Sequence, residues 1–313
     1  MIEKVIVGID TSNYTTSCAV CSLDGEILEN YKEMLPVKLG ENGLRQSEAV
    51  FSHVKNFQLI SKKIKEKHAD YEIVAIGYSS YPRDVAGSYM PCFLVGNAVA
   101  EMISALYNIP SFAFSHQAGH IQAALYSSKL EGNEKFVAFH VSGGTTEILL
   151  VTPNEKNFSI SLLGGSVDLH AGQAIDRIGV KMGLQFPCGK QIEMCAKENN
   201  TETPSIKVCV KNFECNLSGL ENLSLKLYND TKNINLVSAY VLSFISKTIE
   251  KLSQNIRNEF GNIKIVFAGG VMSNSIIKNN LLSKFDNIYF ADPQFSTDNA
   301  CGIALLARKS YLN

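Results

Sequence analysis

Long hydrophobic runs are missing from this sequence of 313 residues. No segment approaches the ~20 consecutive apolar residues that span a lipid bilayer, so we expect no membrane-spanning helix. We also expect no targeting leader, because residues 1–4 run directly into a strand pattern and not into a basic segment followed by an apolar run. The apolar fraction of 45% and the charged fraction of 19% are those of an ordinary globular protein, long enough for two lobes with real cores.

An excess of positive charge is lacking as well. The chain has 29 Lys and Arg against 30 Asp and Glu, for a formal net charge of -1. A protein whose main function is sequence-independent binding to the phosphate backbone of a nucleic acid is expected to be clearly basic. Any contact with RNA is therefore expected through a local patch or a partner's surface, and the alternative is that the protein contacts no RNA.

The eight cysteines are scattered and give no metal or disulfide framework. Cys18 and Cys21 form one C-x-x-C, but on a strand this spacing places the two side chains on opposite faces. We therefore disfavour a zinc or redox role and expect reduced thiols in a cytoplasmic protein.

The order of strand and helix patterns predicts an α/β chain with an internal duplication. Residues 7–16 resemble residues 137–146, and both copies carry Ser-x-x-Thr-Thr in the turn, so that Ser12 matches Ser142. Helices are predicted at 49–67, 93–107, 116–125, 236–260 and 297–311. The alternative to a duplication is a chance likeness of two apolar hairpins.

Three turns at the ends of buried strands are candidates for holding phosphate. They are residues 10–13, 141–146 and 269–274, the last between a strand and a helix. Glycine lets the backbone approach an anion closely, and backbone N–H groups at a turn or helix start bind it. Each turn alone is a common feature, and three of them favour nucleotide binding.

Two histidines, His116 and His120, lie four residues apart on one face of a predicted helix, which is a geometry of metal ligands. The alternative is a pair of surface or capping histidines. Asp298 lies at the start of the last predicted helix, where an acidic side chain is favoured by the helix dipole alone.

Taken in order, these motifs resemble the universal tRNA threonylcarbamoyladenosine synthase family, whose older name is O-sialoglycoprotein endopeptidase or glycoprotease. The resemblance runs through nearly the whole chain. It rests on the strand-turn at 8–12, the H-x-x-x-H at 116–120, V-S-G-G at 141–144, A-G-x-A-x-D at 171–176, P-x-G at 187–189, G-G-V-x-x-N at 269–274 and T-D-N-A at 297–300.

The resemblance implies the two-lobed α/β fold of the duplicated sugar kinase, heat-shock chaperone and actin type, with a nucleotide cleft between the lobes. It implies one lobe of residues 1–107 with the last helix, 297–313, and a second lobe of residues 108–296. It also implies one iron or zinc ion held by His116, His120 and Asp298. An adenine nucleotide (ATP, ADP or threonylcarbamoyl-AMP, with or without Mg²⁺) would contact a set of residues in the turns and helix starts: Ser12, Val141, Ser142, Gly143, Gly144, Thr145, Asp176, Gly189, Gly270 and Asn274.

The implied activity is metal-dependent transfer of a threonylcarbamoyl or related carbamoyl group from an adenylate to the tRNA adenosine next to the anticodon. The expected partners are tRNA and other subunits of a threonylcarbamoylation complex, with a homodimer as an alternative. A peptidase ranks last, because the sequence offers no nucleophile with a base and an orienting group. Which residue catalyses the transfer is not assigned.

Several positions depart from the family pattern. Tyr14 and Thr15 replace an acidic pair, Thr145 replaces a histidine, and Glu221 replaces the lysine of S-G-L-K. Residues 79–91 replace a glycine-rich segment, and there Arg83 is a candidate contact for an anionic group of the donor or acceptor, against the alternative of a surface arginine paired with Asp84 or solvent. These departures favour a divergent paralogue, and the second hypothesis is an ATP- or ADP-binding protein that is a non-catalytic partner or regulator of a tRNA-modifying complex.

Overall fold

The computed structural model describes residues 2–12, 15–36, 44–67, 71–130, 132–155, 157–295 and 300–313. The chain forms two compact units. Unit 1 contains Met1–Lys129, Pro153–Ser159 and Gln294–Asn313, and unit 2 contains Leu130–Thr152 and Ile160–Pro293. Within the described ranges, no helix combines the length and apolar character needed to cross a bilayer. The lobe boundaries given by the resemblance stay a prediction.

Strands and helices alternate along the chain as the sequence predicts. In chain order they are β1 (Glu3–Ser12), β2 (Thr15–Ser22), β3 (Ile27–Met34), α1 (Gln46–Lys67), β4 (Tyr71–Tyr81), α2 (Phe93–Tyr107), β5 (Ser111–Ser115), α3 (His116–Ser128), β6 (Phe136–Val141), β7 (Thr146–Pro153), β8 (Phe158–Ser166), α4 (Ala171–Lys181), α5 (Gly189–Lys197), β9 (Cys209–Lys211), β10 (Glu214–Asn216), α6 (Ser218–Thr231), α7 (Ile234–Phe260), β11 (Lys264–Ala268), α8 (Ser275–Leu282), β12 (Ile288–Phe290) and α9 (Ala300–Leu312). The predicted helix 93–107 is confirmed at both ends.

The two sheets have equivalent topologies. The first has the strand order β3-β2-β1-β4-β5, and the second begins β12-β11-β6-β7-β8 before it continues to β10 and β9. β1 pairs antiparallel with β2 and parallel with β4, and β6 pairs in the same way with β7 and β11. Each central strand thus has one hairpin partner and one crossover partner, as a duplicated unit requires.

The hairpins of the two sheets also share their register. Thr11 lies opposite Thr16 at the β1–β2 turn, and Val141 lies opposite Thr146 at the β6–β7 turn. Each residue number in the second pair equals that in the first pair plus 130. The match of Ser12 with Ser142 in the sequence has the same offset. The predicted duplication is therefore confirmed at the level of individual strand pairs.

The C-x-x-C of β2 is divided between two hydrophobic clusters of unit 1. Cys18 packs with Val7 and Ile76, whereas Cys21 packs with Ala300 of α9. Burial raises the pKa of each thiol to about 12. Both side chains are therefore protonated core residues, and the prediction that they face opposite sides of the sheet is confirmed.

Candidate functional site

The turn between β6 and β7 is held against the start of α4 in unit 2. The N–H of Ser142 donates to the carbonyl of Thr145 across the turn (2.8 Å), and the N–H of Gly172 donates to the carbonyl of Ser142 (3.1 Å). A Cβ at Gly172 would lie 2.7 Å from the Cα of Gly143. Only glycine at 172 allows this approach, so the helix start and the turn form one surface.

The glycine turn after β11 joins the same surface. Gly269 has a φ of +99°, and a Cβ there would lie 2.3 Å from the carbonyl oxygen of Val141. The N–H of Val271 donates to that oxygen at 3.2 Å. Two of the three predicted phosphate turns, 141–146 and 269–274, therefore meet at the end of neighbouring strands β6 and β11.

Glycines on this surface leave room for a ligand. A Cβ at Gly143, Gly144, Gly189 or Gly270 would meet no other atom of the described structure within 4 Å. Close packing therefore explains why residues 172 and 269 are glycine. The protein's own packing does not explain the glycines at 143, 144 and 270. Backbone that is open in this way is what a phosphate group approaches.

Asp176 and the start of α5 form a second part of this region. The Oδ1 atom of Asp176 on α4 accepts a hydrogen bond from the N–H of Cys188 at 2.8 Å, one residue before Gly189. Burial raises the pKa of Asp176, and the Cys188 N–H opposes that effect. Two predicted nucleotide contacts, Asp176 and Gly189, are thus neighbours although 13 residues separate them in the sequence.

Asn274 is the N-cap of α8. Its Oδ1 accepts from the N–H groups of Ile276 (3.0 Å) and Ile277 (3.2 Å), and its amide donates to Glu193 of α5 at 3.2 Å. The carboxylate of Glu193 also accepts from the N–H of Ser275 at 3.1 Å. Glu193 therefore ties α5 to α8, and the contact of Asn274 with base or ribose stays a prediction.

Asp168 is an organising residue that the sequence reasoning missed. Its carboxylate accepts from the N–H groups of Leu169 (2.6 Å) and Leu217 (2.8 Å) and from the Ser218 hydroxyl (2.6 Å). Partial burial alone would raise the pKa of Asp168, but these hydrogen bonds, first of all that from Ser218, hold it well below its ordinary value. The only available signal was an aspartate shortly before a helix.

Glu221, the departure from the family's S-G-L-K, lies in the first turn of α6 and pairs with α4. Its Oε1 lies 2.7 Å from Nζ of Lys181, and its Oε2 lies 3.5 Å from the guanidinium of Arg177. The Lys181 ammonium lowers the pKa of Glu221 against the effect of burial. The anion at 221 is therefore part of an ion-pair cluster between two helices.

In unit 1, His116 and His120 lie together at the start of α3. Their ring centroids are 4.6 Å apart with the planes at 73°, an edge-to-face arrangement. The Nδ1 of His116 lies 3.1 Å from Oδ1 of Asp10 at the carboxyl end of β1. Ser115 caps α3 by accepting from the N–H of Ala118 at 3.1 Å, so the histidine pair stands on a well-defined helix start.

The surroundings of His116 include a buried carboxylate. Asp10 is fully buried, and its Oδ2 has no hydrogen-bond partner among the described residues. Burial alone would raise the pKa of Asp10, but the charge and hydrogen bond of His116 lower it below its ordinary value. Within the described residues no group of three His, Cys, Asp or Glu side chains is placed to hold a metal, and the third predicted ligand, Asp298, lies outside the described residues.

Matching threonines anchor a helix to each hairpin. Thr16 Oγ1 lies 2.8 Å from Nδ1 of His53 and accepts from the amide of Asn56 at 3.1 Å, both on α1. Thr146 Oγ1 accepts from the N–H of Ala171 at 2.9 Å, at the start of α4. Ser12 is the last residue of β1 in the first hairpin. Tyr14, one of the departures from the family pattern, lies outside the described residues.

The segment with Arg83 supports the start of α3. The Oδ2 of Asp84 accepts from the Ser115 hydroxyl at 2.6 Å, and the N–H of Gln117 donates to the carbonyl of Pro82 at 3.1 Å. Arg83 is exposed, and its backbone N–H donates to the Ser88 hydroxyl at 3.0 Å. The segment therefore connects Arg83 to the helix that bears the histidines.

Two matching sheets with matching hairpin turns define a protein of the two-lobed sugar kinase, heat-shock chaperone and actin type. Solved structures with this fold are similar over almost the whole chain. Component A of (R)-2-hydroxyglutaryl-CoA dehydratase from Acidaminococcus fermentans has a TM-score of 0.58 at 15% identity, with 99% of each chain covered. HypF from T. kodakarensis has a TM-score of 0.59 at 12% identity, covering 99% of this chain and 48% of that chain. The predicted fold class is confirmed.

Sequence comparison identifies the family. The family model described as TsaD, tRNA N6-adenosine threonylcarbamoyltransferase, matches residues 40–305, and the chain belongs to this family. A protein named tRNA N6-adenosine threonylcarbamoyltransferase from Thermosipho africanus is 28% identical over an alignment 322 positions long, and the alignment covers 98% of this chain and 94% of that protein. A protein of the same name from Francisella tularensis subsp. holarctica is 28% identical and covers 99% and 95% of the two chains. The predicted family is confirmed.

Proposed function

We propose that the protein transfers a threonylcarbamoyl group from an adenylate to the adenosine next to the anticodon of tRNA. The observation that carries this proposal is the family match over residues 40–305, a range that contains the open glycine surface of unit 2. The two relatives, which align with this chain over nearly their whole length, are named for this activity. The geometry around the turns supports a role for these motifs in binding a nucleotide.

In this proposal the open surface binds the donor. Backbone N–H groups at 143–145 approach the phosphate, since Gly143 and Gly144 present no side chain and α4 begins directly behind the turn. Asp176 and Gly189 contact the ribose or base, and Asn274 and Gly270 close the opposite side. Ser12, which matches Ser142 by the duplication, is the corresponding contact of unit 1.

We also propose that His116, His120 and Asp298 hold one iron or zinc ion. The histidine pair and the buried carboxylate of Asp10 support this, because imidazole is a common ligand of both metals and ligating histidines usually bond to a carboxylate behind them. Such an ion supplies Lewis-acid polarisation of a carbamoyl or phosphate oxygen. The imidazole nitrogens of the two histidines would supply the lone pairs that bind the ion.

The expected partners follow from the family and from the charge. With a net charge of -1, the protein is expected to bind tRNA through a local basic patch or together with other subunits of a threonylcarbamoylation complex, and a homodimer remains an alternative. All eight cysteines are free thiols, which supports a reducing compartment such as the cytoplasm.

A second candidate function is supported by Glu221. Its carboxylate lies between Lys181 and Arg177, whereas the family pattern has a lysine at this position. The charges of Lys181, Arg177 and Glu221 sum to +1, whereas a lysine at 221 would bring the sum to +3, so this patch attracts the tRNA backbone less strongly than the family pattern would. The protein would then keep the nucleotide site and act as a non-catalytic partner or regulator of a tRNA-modifying complex.

Complementation separates the two candidates. A strain depleted of its own threonylcarbamoyltransferase would express this protein, and threonylcarbamoyladenosine in its tRNA would be measured by mass spectrometry of the nucleosides. Transfer predicts that the wild type restores the modified nucleoside and that Gly144→Val does not. If the folded wild type restores none and Glu221→Lys restores some, the second candidate is correct for the natural chain.

A further inference from the structure

Asp10 supports the proposed metal site as a neighbour of His116, and its own contacts give it a more specific role there. It is fully buried near the end of β1, and its Oδ1 accepts from the hydroxyl of Ser79 and contacts Nδ1 of His116 at 3.1 Å. Its Oδ2 has no hydrogen-bond partner among the described residues. A buried carboxylate in this state is costly, so a functional reason for it is expected.

The contact with Asp10 decides which nitrogen of a neutral His116 carries the proton and which carries the lone pair. An ionised carboxylate only accepts hydrogen bonds, so the proton of a neutral His116 belongs on Nδ1. The lone pair then lies on Nε2, at the far side of the ring. His120, one turn further along α3, has its ring centroid 4.6 Å from that of His116.

The backbone on both sides of this contact is fixed. The start of α3 is held by the Ser115 cap and by the Asp84 carboxylate that accepts from Ser115 at 2.6 Å. Asp10 lies in the central strand of its sheet, between β2 and β4. The backbone that carries each side chain is therefore held in place, which favours a role for Asp10 in orienting the His116 ring.

We propose that Asp10 is the positioning residue of the metal site: it holds the Nδ1 proton of His116 and presents Nε2 to the ion. The inference rests on the proposed metal site and adds to it a residue 106 positions away in sequence. Asp10 acts through His116, so its loss weakens the site without removing a ligand.

The test uses Co²⁺ as the probe, with affinity measured by competition with a chelator and geometry followed by visible absorption. Asp10→Asn keeps the size of the side chain but offers an N–H₂ group beside Nδ1. We expect it to lower Co²⁺ affinity by about 10- to 100-fold and to change the absorption bands. Thr16→Val, which alters another buried polar group of the same hairpin away from His116, is the matched control and should stay within about twofold of the wild type.

The metal-free wild-type protein gives a second measurement that needs no variant of Asp10. Nitrogen NMR of histidine, assigned with His116→Ala, should show the proton of His116 on Nδ1. A proton on Nε2, or an affinity of Asp10→Asn within twofold of the wild type, overturns the inference. If His116→Ala itself leaves Co²⁺ affinity unchanged, the proposed metal site fails together with the inference; if only Asp10→Asn leaves it unchanged, the metal site stands and the positioning role fails.

Discussion

Gly302 of α9 packs directly on the backbone carbonyl of Gly119 in α3: a Cβ at residue 302 would lie 1.9 Å from that oxygen. Both helices belong to unit 1. Gly119 lies between His116 and His120 in the sequence, and α9 begins two residues after the predicted ligand Asp298. The pair of glycines therefore sets the distance between α3, which bears the histidines, and α9.

Gly302→Ala is expected to lower the free energy of unfolding by about 1 to 3 kcal/mol, because α9 or α3 must shift to make room for the methyl group. Helix propensity alone predicts the opposite sign, since alanine in a helix interior is favoured over glycine by about 1 kcal/mol. Urea unfolding measures the difference. A variant that is more stable than the wild type would contradict the close approach of the two helices.

Gly144→Val is expected to remove the stabilisation that ATP or ADP gives to the wild type. A ligand that binds only the native state raises the melting temperature by mass action. Apart from its chain neighbours, a Cβ at residue 144 would meet no atom of the described residues within 4 Å, so the variant should fold and block only the approach of phosphate to the backbone. Thermal unfolding with and without nucleotide measures this.

The control for that variant is Gly219→Val in the first turn of α6, where a Cβ also meets no atom within 4 Å. It carries the same change in side chain outside the turn 141–146, and its nucleotide shift should equal that of the wild type. A Gly144→Val protein that keeps the full shift would show that phosphate does not bind at this turn.

Local patterns were sufficient for most of the longer strands and helices and for the duplication. The strand-turn-strand echo depends on residues within ten positions of each other, and the paired threonines confirm it. α7 buries residues at helical spacing over 27 residues, so its periodicity was visible in the sequence. α6 was missed because few of its residues are buried: Leu220 and Ser224 are the buried ones within the described structure.

Contacts between distant residues were not predictable in the same way. The bond between Asp10 and His116 joins residues 106 positions apart, and the hydrogen bonds of Asp168 reach 48 to 50 positions ahead. Such contacts depend on the order of strands in a sheet, which periodicity does not encode. The three-residue strands β9 and β10 are likewise defined by their partners and not by their own sequence.

Asp168→Asn is expected to reduce stability at neutral pH by about 1 to 2 kcal/mol, at the lower end for hydrogen bonds to a charged group because Asp168 is exposed. The folded-state pKa of Asp168 is depressed, so its contribution is present above the unfolded-state pKa of about 3.9 and is lost as pH falls below it. The difference in the free energy of unfolding between variant and wild type should therefore shrink as the pH is lowered from about 5 to about 2.

Urea unfolding across that pH range measures the difference, and Asp230→Asn, an exposed aspartate at the other end of α6, is the control. A cost of Asp168→Asn that is independent of pH would show that the carboxylate charge is not what holds the loop before α4 to the start of α6.

Arg83→Lys is expected to weaken the binding of an anionic group of the donor or acceptor by ~1–3 kcal/mol, the scale of a charged hydrogen bond. The rise in melting temperature that ATP or ADP gives should be unchanged. The side chain is exposed, and the neighbouring Asp84 accepts from Tyr81 at 3.1 Å and from Ser115 at 2.6 Å. Lysine keeps the charge and the backbone N–H that donates to Ser88, but it loses the planar fork that binds carboxylate or phosphate with two bonds.

Transfer kinetics with the donor and tRNA varied separately show which ligand Arg83 contacts, because only that ligand's KM should rise. Unchanged KM values for both substrates in Arg83→Ala would show that Arg83 is a surface residue without a role in binding.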